Sequence, residues 1–299
     1  LSGISPAEIG FEFQLYRASK TSNDIVAYVQ YTKPNTHAKT LGIKRGDIIN
    51  RINGVQLTID NYRTLLGALT DASASTKLGF ATRNNDVYSN AGELVVNKSA
   101  NYQEHPVLVD TVYNIGNKKI AYLMYNFFTA DPGDKTLKYD LALNASMAKY
   151  NSENINELIV DLRYNRGGMM SSATKLGSML VPNLTADKVF SYTEYNKNYT
   201  DYFNSAEYKK KYSNNPFVDY FVTNITVSTS NVQPINNVGA KLQRIFFLTG
   251  NSTASASEMV INGLKPYLPC ILVGDTTTGK NVGSVVVNDE NNKNNNDKN

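Results

Sequence analysis

Two hydrophobic rhythms run along the chain, and the change from one to the other divides it. Through roughly the first hundred residues apolar and polar positions tend to alternate. Residues 9–16 (Ile-Gly-Phe-Glu-Phe-Gln-Leu-Tyr), 25–31 (Ile-Val-Ala-Tyr-Val-Gln-Tyr) and 77–82 read as short strands. Asn53 and Gly54 stand between apolar runs and predict a hairpin turn. Asp60 opens a short helix through Leu65 and Leu66. Residues 93–112 form a connecting region with strand-like pieces. Beyond it the apolar runs become continuous, at 119–125, 158–162, 245–249 and 270–274, as strands buried on both faces require. Helical spacings separate them: Leu137, Leu141, Ala145 and Ala148; then Leu176 and Leu180; then Met259, Val260, Gly263 and Leu264. This is the pattern of a mixed α/β protein.

The expected division is a small β-rich domain over residues 1–97, an α/β domain over 98–287, and a disordered polar tail over 288–299. That tail holds only Asn, Asp, Glu and Lys, so it has nothing to bury. Residues 190–229 are rich in Tyr, Asn and Lys and read as a partly exposed insertion, a lid or a substrate wall.

Composition narrows the function classes. At 299 residues and 41% hydrophobic, the chain is large enough for two cores. A net charge of +4, scattered along the sequence, argues against nucleic acid. No apolar run approaches the ~20 residues of a membrane-spanning helix. The chain opens at Leu1 rather than Met, so a preceding segment is expected. The single cysteine, Cys270, excludes an internal disulfide and reads as a packed thiol. His37 and His105 are too few and too isolated for a metal site, so neither metal nor cofactor is expected.

Candidate chemistry concentrates near the end. The apolar run 245–249 closes at Gly250 and is followed by Asn251, Ser252, Thr253, Ala254, Ser255, Ala256, Ser257 and Glu258. Small hydroxyl residues thus sit at a strand-to-helix turn, where free N–H groups and the helix dipole favour a developing anion. The same residues also read as a capping box, with Ser255 at N-cap and Glu258 at N3. The next strand, 270–274, leads into Asp275, three threonines, Gly279 and Lys280. A strand–helix–strand unit returns the chain beside its start, so the two loops can meet. Burial disfavours an ammonium, and a partly buried lysine there becomes a usable base for a serine nucleophile. Gly167 and Gly168 follow the 158–162 run and form a second turn able to aim N–H groups outward.

Ser-Thr-Ala-Ser-Ala-Ser-Glu followed by Gly-Asp-Thr-Thr-Thr-Gly-Lys resembles the signature of the carboxyl-terminal processing (tail-specific) peptidases, Ser–Lys proteases with an embedded PDZ domain. The resemblance extends to Gly-Ile-Lys-Arg-Gly-Asp-Ile-Ile and Ile-Asn-Gly-Val early in the chain, and to Asp-Leu-Arg-Tyr-Asn-Arg-Gly-Gly at 161–168. It implies a PDZ-like domain followed by a ClpP/crotonase-like α/β protease core. It implies Ser255 as nucleophile and Lys280 as general base, with an oxyanion hole from Ala256 and from Gly167 or Gly168. The loop of Ile9, Gly10 and Phe11 would capture a substrate's C-terminal carboxylate. Three positions depart from the family: Glu12 replaces a glycine, Arg166 a proline, and Ser284 a glutamine that helps orient the lysine. Polypeptides with a free C-terminus are the implied partners, with self-association allowed. Export to the periplasm or cell surface, with a lipid anchor ahead of Leu1, is the implied location. The rival reading is an inactive relative serving as a peptide- or glycan-binding module. A small-ester hydrolase fits less well, because the Gly-x-Ser-x-Gly elbow is absent.

Overall fold

The computed structural model describes residues 4–283. The expectations placed on Ser284, on residues 285–287 and on the 288–299 tail lie outside those residues.

Apolar side chains gather into two large clusters. The first joins Ile9, Phe11, Val29, Ile49, Ile52, Leu57 and Leu78. Most come from an antiparallel sheet ordered Phe11–Arg17, Ile25–Thr32, Ile48–Ile52, Ser75–Asn84, Val87–Asn97, with Val55–Gln56 paired to Ile48–Ile52, while Ile9 and Leu57 flank its strands. Period-two patterning gives this sheet one core face, and the short helix Tyr62–Gly67 packs Leu65 and Leu66 against it. The Asn53-Gly54 hairpin forms as expected, both residues at positive φ (52° and 81°), as a type I′ turn requires. The module is consistent with a PDZ-like fold.

The connecting region is more regular than its sequence suggested. Val87–Asn97, Ser99–Gln103 and Val107–Ile115 are all strands. Ile4–Glu8 pairs antiparallel with Ser99–Gln103, so the first described strand clamps the link between the two clusters.

The second cluster belongs to a five-stranded sheet ordered Cys270–Gly274, Ile245–Thr249, Glu157–Asp161, Lys118–Tyr125, Val107–Ile115. The first four strands run parallel and the last is antiparallel. Parallel neighbours need crossovers, supplied here by the helices Lys138–Glu153, Met170–Leu180 and Ala256–Leu264. Leu143, Leu176 and Val260 from these helices meet Leu123, Leu158, Val160 and Phe247 from the sheet.

One strand corrects the sequence reading. Cys270–Gly274 was expected to be buried, yet Leu272 and Val273 are 44% and 48% exposed. It is the last strand in the order, and no described residue pairs with its outer edge. Cys270 is half-buried, and burial pushes its thiol up to about 11, in keeping with a packed and unreactive group. The tyrosine-rich insertion is also folded. Tyr195, Tyr199, Phe203, Tyr208 and Phe217 form a connected ring cluster across the helices Lys197–Asn204 and Ala206–Lys211.

Candidate active site

The Ile245–Thr249 strand ends in a tight turn that starts the helix Ala256–Leu264. Thr253 fixes it: its hydroxyl donates to the Leu162 carbonyl at 2.8 Å and accepts from Gly250 N–H at 2.9 Å. Ser257 donates to the Asn165 carbonyl at 3.1 Å. Both side chains are fully buried. Ser255 differs in each respect. It is half-buried, its side chain faces the Glu258 N–H in the capping box that the sequence predicted but donates to no described residue, and it stands at φ 57°, ψ −117°. A non-glycine residue there costs about 1–3 kcal/mol, and such strain persists only where the surroundings impose it. Of the hydroxyl residues in the turn, Ser255 alone is held in this strained backbone.

The glycine turn supplies the imposing wall. A Cβ on Gly167 would lie 2.7 Å from Ser255 Cβ and 3.0 Å from Ala256 N, so only glycine lets the two turns touch. Asn165, fully buried, holds them together. Its Oδ1 accepts from Gly167 N–H at 2.8 Å, its Nδ2 donates to the Tyr125 carbonyl at 2.9 Å, and its carbonyl accepts from Ala254 N–H at 3.2 Å. This arrangement separates the two glycines. The N–H of Gly167 is engaged by Asn165, whereas those of Gly168 and Ala256 bond to no described residue. Gly168 itself is pressed against Phe128, whose carbonyl oxygen would lie 2.0 Å from an added Cβ. Upstream, Asp161 accepts from Arg163 Nη2 at 2.6 Å and from the Tyr122 hydroxyl at 2.6 Å, bracing the start of the turn. Arg166 is exposed.

The lysine loop meets the serine turn as the crossover predicted, and Glu258 is the joint. Its Oε2 accepts from Ser255 N–H at 2.8 Å and from Lys280 N–H at 2.9 Å; its Oε1 accepts from Gly279 N–H at 2.6 Å. Burial works against the charge on Glu258, but bonds from Thr277, Gly279, Ser255 and Lys280 outweigh it and hold the carboxyl below its ordinary range. Thr278 adds two bonds, to the carbonyls of Thr253 at 2.9 Å and Asn251 at 2.8 Å. The sequence marked Glu258 only as a helix cap; its second role follows from the return of the loop. Lys280 corrects a second expectation, because its side chain is exposed rather than partly buried and hydrogen-bonds to no described residue.

Two further candidates separate from this site. His105 packs edge-on against Tyr139 at 5.0 Å, its Nδ1 bonded to Val107. In the loop of Ile9, Gly10 and Phe11, Gly10 N–H donates to the chain's own Glu8 Oε1 at 2.9 Å. Lys33, 4% exposed, is ringed by Glu8, Glu12 and Glu104 at 2.8–2.9 Å. Among the described residues no cluster of His, Cys, Asp or Glu is arranged to hold a metal ion, and no helix is long and apolar enough to cross a membrane.

A strained serine at a strand-to-helix turn, beside a glycine turn whose Gly168 N–H bonds to no described residue, has the elements that serine-hydrolase chemistry requires. The chain belongs to peptidase family S41, whose sequence pattern matches residues 119–294. Family membership supports a serine-type peptidase. Among solved structures, a protein assigned to the S41 proteases from Bacteroides fragilis NCTC 9343 is 25% identical, with a TM-score of 0.70 over 96% of this chain and 69% of its own. A photosystem II D1 C-terminal processing protease is 17% identical, with a TM-score of 0.49, covering 94% of this chain and 62% of its own. Among curated proteins no significant match was found.

Proposed function

We propose that the chain is a serine endopeptidase that cleaves polypeptides near their C-terminal ends through an acyl-enzyme. Ser255 Oγ attacks the scissile carbonyl. Lys280, as a neutral amine, takes the hydroxyl proton and later returns it to the leaving amine. The N–H groups of Ala256 and Gly168 receive the oxyanion, each contributing roughly 3 kcal/mol. Gly167, its N–H engaged, acts instead through its lack of a side chain. Proton transfer needs the neutral Lys280 amine to come within hydrogen-bond reach of Ser255, a tightening expected on substrate binding. The proposed division of labour gives the β-module (residues 1–97) presentation of the chain end and the α/β domain (98–287) the chemistry. Export to the periplasm or cell surface belongs to the same proposal.

The observation that carries this reading is the contrast within one turn: the Thr253 and Ser257 hydroxyls donate to backbone carbonyls, while strained Ser255, which accepts within its capping box, donates to no described residue. Incubating an unfolded protein with the parent and with Ser255→Ala tests it. Digestion by the parent alone is expected; equal digestion by both removes Ser255 as nucleophile. The exposure of Lys280 favours one alternative, a peptide-binding relative without cleavage. Binding of unfolded peptide with no turnover by the parent would select it.

A further inference from the structure

A sizeable cleft opens away from the loop of Ile9, Gly10 and Phe11. It lies between the outward face of the N-terminal sheet and the peptidase core, and holds about 580 Å³. The sheet contributes Arg17, Arg45, Arg83, Tyr16, Tyr28 and Tyr88; the core contributes Arg163, Tyr164 and residues 249–252 of the nucleophile turn. No Asp, Glu or Lys lines it. An outward sheet face of this size ordinarily mixes both signs of charge.

The four arginines are not equivalent. Arg163 is committed to Asp161, and Arg83 is paired with Asp86. Arg17 and Arg45 have no carboxylate partner among the described residues; Arg17 reaches only the Lys20 carbonyl at 3.5 Å, and Arg45 lies over the Tyr164 ring at 5.9 Å. Asp47, the nearest acid in sequence to Arg45, is engaged by Lys44. The rings are ordered: Tyr16 meets Tyr28 edge-on at 5.6 Å, Tyr28 and Tyr88 share a hydroxyl bond of 2.9 Å, and Tyr164 stacks near Tyr31 at 5.7 Å. Two unpaired guanidinium forks on a preformed aromatic wall suit carboxylates carried on a peptide.

We infer that this cleft binds an acidic segment of the substrate polypeptide, docking it beside Ser252 and so beside the nucleophile turn. The inference rests on the peptidase reading, which selects a polypeptide over other polyanions. The test uses the full chain carrying Ser255→Ala, so that binding is read without turnover. A fluorescent peptide rich in Asp and Glu is titrated against its Asn/Gln counterpart, with a sulfated glycan and an oligonucleotide as further arms. The acidic peptide should bind about tenfold tighter than the amide form, with the preference shrinking as salt rises. Adding Arg17→Gln and Arg45→Gln should abolish the preference while the melting temperature stays put. Both positions are exposed, and Arg45→Gln alone serves should the double variant melt early. In the active parent, the same changes should raise KM for a cleavable acidic peptide and leave kcat unchanged. Equal affinity for the two peptides, or a preference that survives both substitutions, would overturn the inference. Tighter, arginine-dependent capture of the glycan or oligonucleotide would overturn the peptide assignment. A parent that binds acidic peptide but cuts nothing would defeat the peptidase reading and leave the cleft's charge preference standing.

Discussion

Two glycine turns in this molecule, the ones proposed to receive an anion, are in opposite states. At Gly168 and Ala256 the N–H groups are engaged by no described residue. At Gly10 the N–H is filled by the chain's own Glu8. Backbone conformation does not explain the difference, since Gly10 and Gly168 both have positive φ (98° and 141°). The neighbours do. Beside Gly168, Asn165 spends its oxygen on Gly167, and the nearest carboxylate of the turn, Glu258, is occupied by the N–H groups of Ser255, Gly279 and Lys280. Around Gly10 stand Glu8, Glu12 and Glu104, three carboxylates for one buried lysine. There burial raises Glu104 above its ordinary range despite Lys33. An anion entering the first turn meets an open donor pair; one entering the second meets competition from the chain itself.

Ser255→Ala should break the first turn's function most severely. The loss of turnover should be at least about 10⁴-fold, with stability changed by only about 1 kcal/mol. Rates on an unfolded protein and thermal melts check both halves.

Lys280→Arg keeps the positive charge but cannot surrender its proton in the working range. A loss of about 10³-fold is expected. Near-parent rates with an intact fold would mean that Lys280 is only a cation in the loop, or a bystander.

Glu258→Gln sharpens the comparison, because it removes the charge that joins the two loops and one of its two acceptor oxygens. An amide cannot accept all three N–H bonds. We expect turnover to fall about 10- to 100-fold and stability by about 2 kcal/mol. The pH dependence follows from the sign of the shift. Glu258 is held below the ordinary glutamate range, so its contribution is complete above that range and is lost as pH falls through the lower folded value. Acid melts should therefore show the parent losing more stability below pH 4.5 than the variant does.

Glu8→Ala addresses the second turn and should have the smallest effect. Lys33 keeps Glu12 and Glu104, so the fold should survive. Clearing Gly10 N–H should raise the preference for a free over an amidated peptide C-terminus by a few-fold. An unchanged preference would make this module a spacer rather than a reader of chain ends.

The contrast also marks what the sequence could convey. Strand and helix positions were legible because period two and helical spacing report burial directly, as in Ile25–Thr32 and Lys138–Glu153. The meeting of the serine and lysine loops was legible from the strand–helix–strand order. Which N–H groups are free was not, because that depends on Asn165 folding back on Gly167 and on Glu8 reaching Gly10, contacts without periodic signature. Cys270–Gly274 misled because a continuous apolar run implies two covered faces, and the described residues cover this strand incompletely. Lys280 misled because its loop is fixed through backbone N–H bonds to Glu258, which leave the side chain outside.

The central claim is that Ser255, which stands at the N-cap of its helix, is also an activated nucleophile. Covalent labelling with a serine-directed phosphonate probe, followed by peptide mapping, tests it most directly. The account predicts a single adduct on Ser255, lost in Lys280→Ala. Labelling of Ser252 or Ser257 instead, or no adduct on the folded parent, would contradict it.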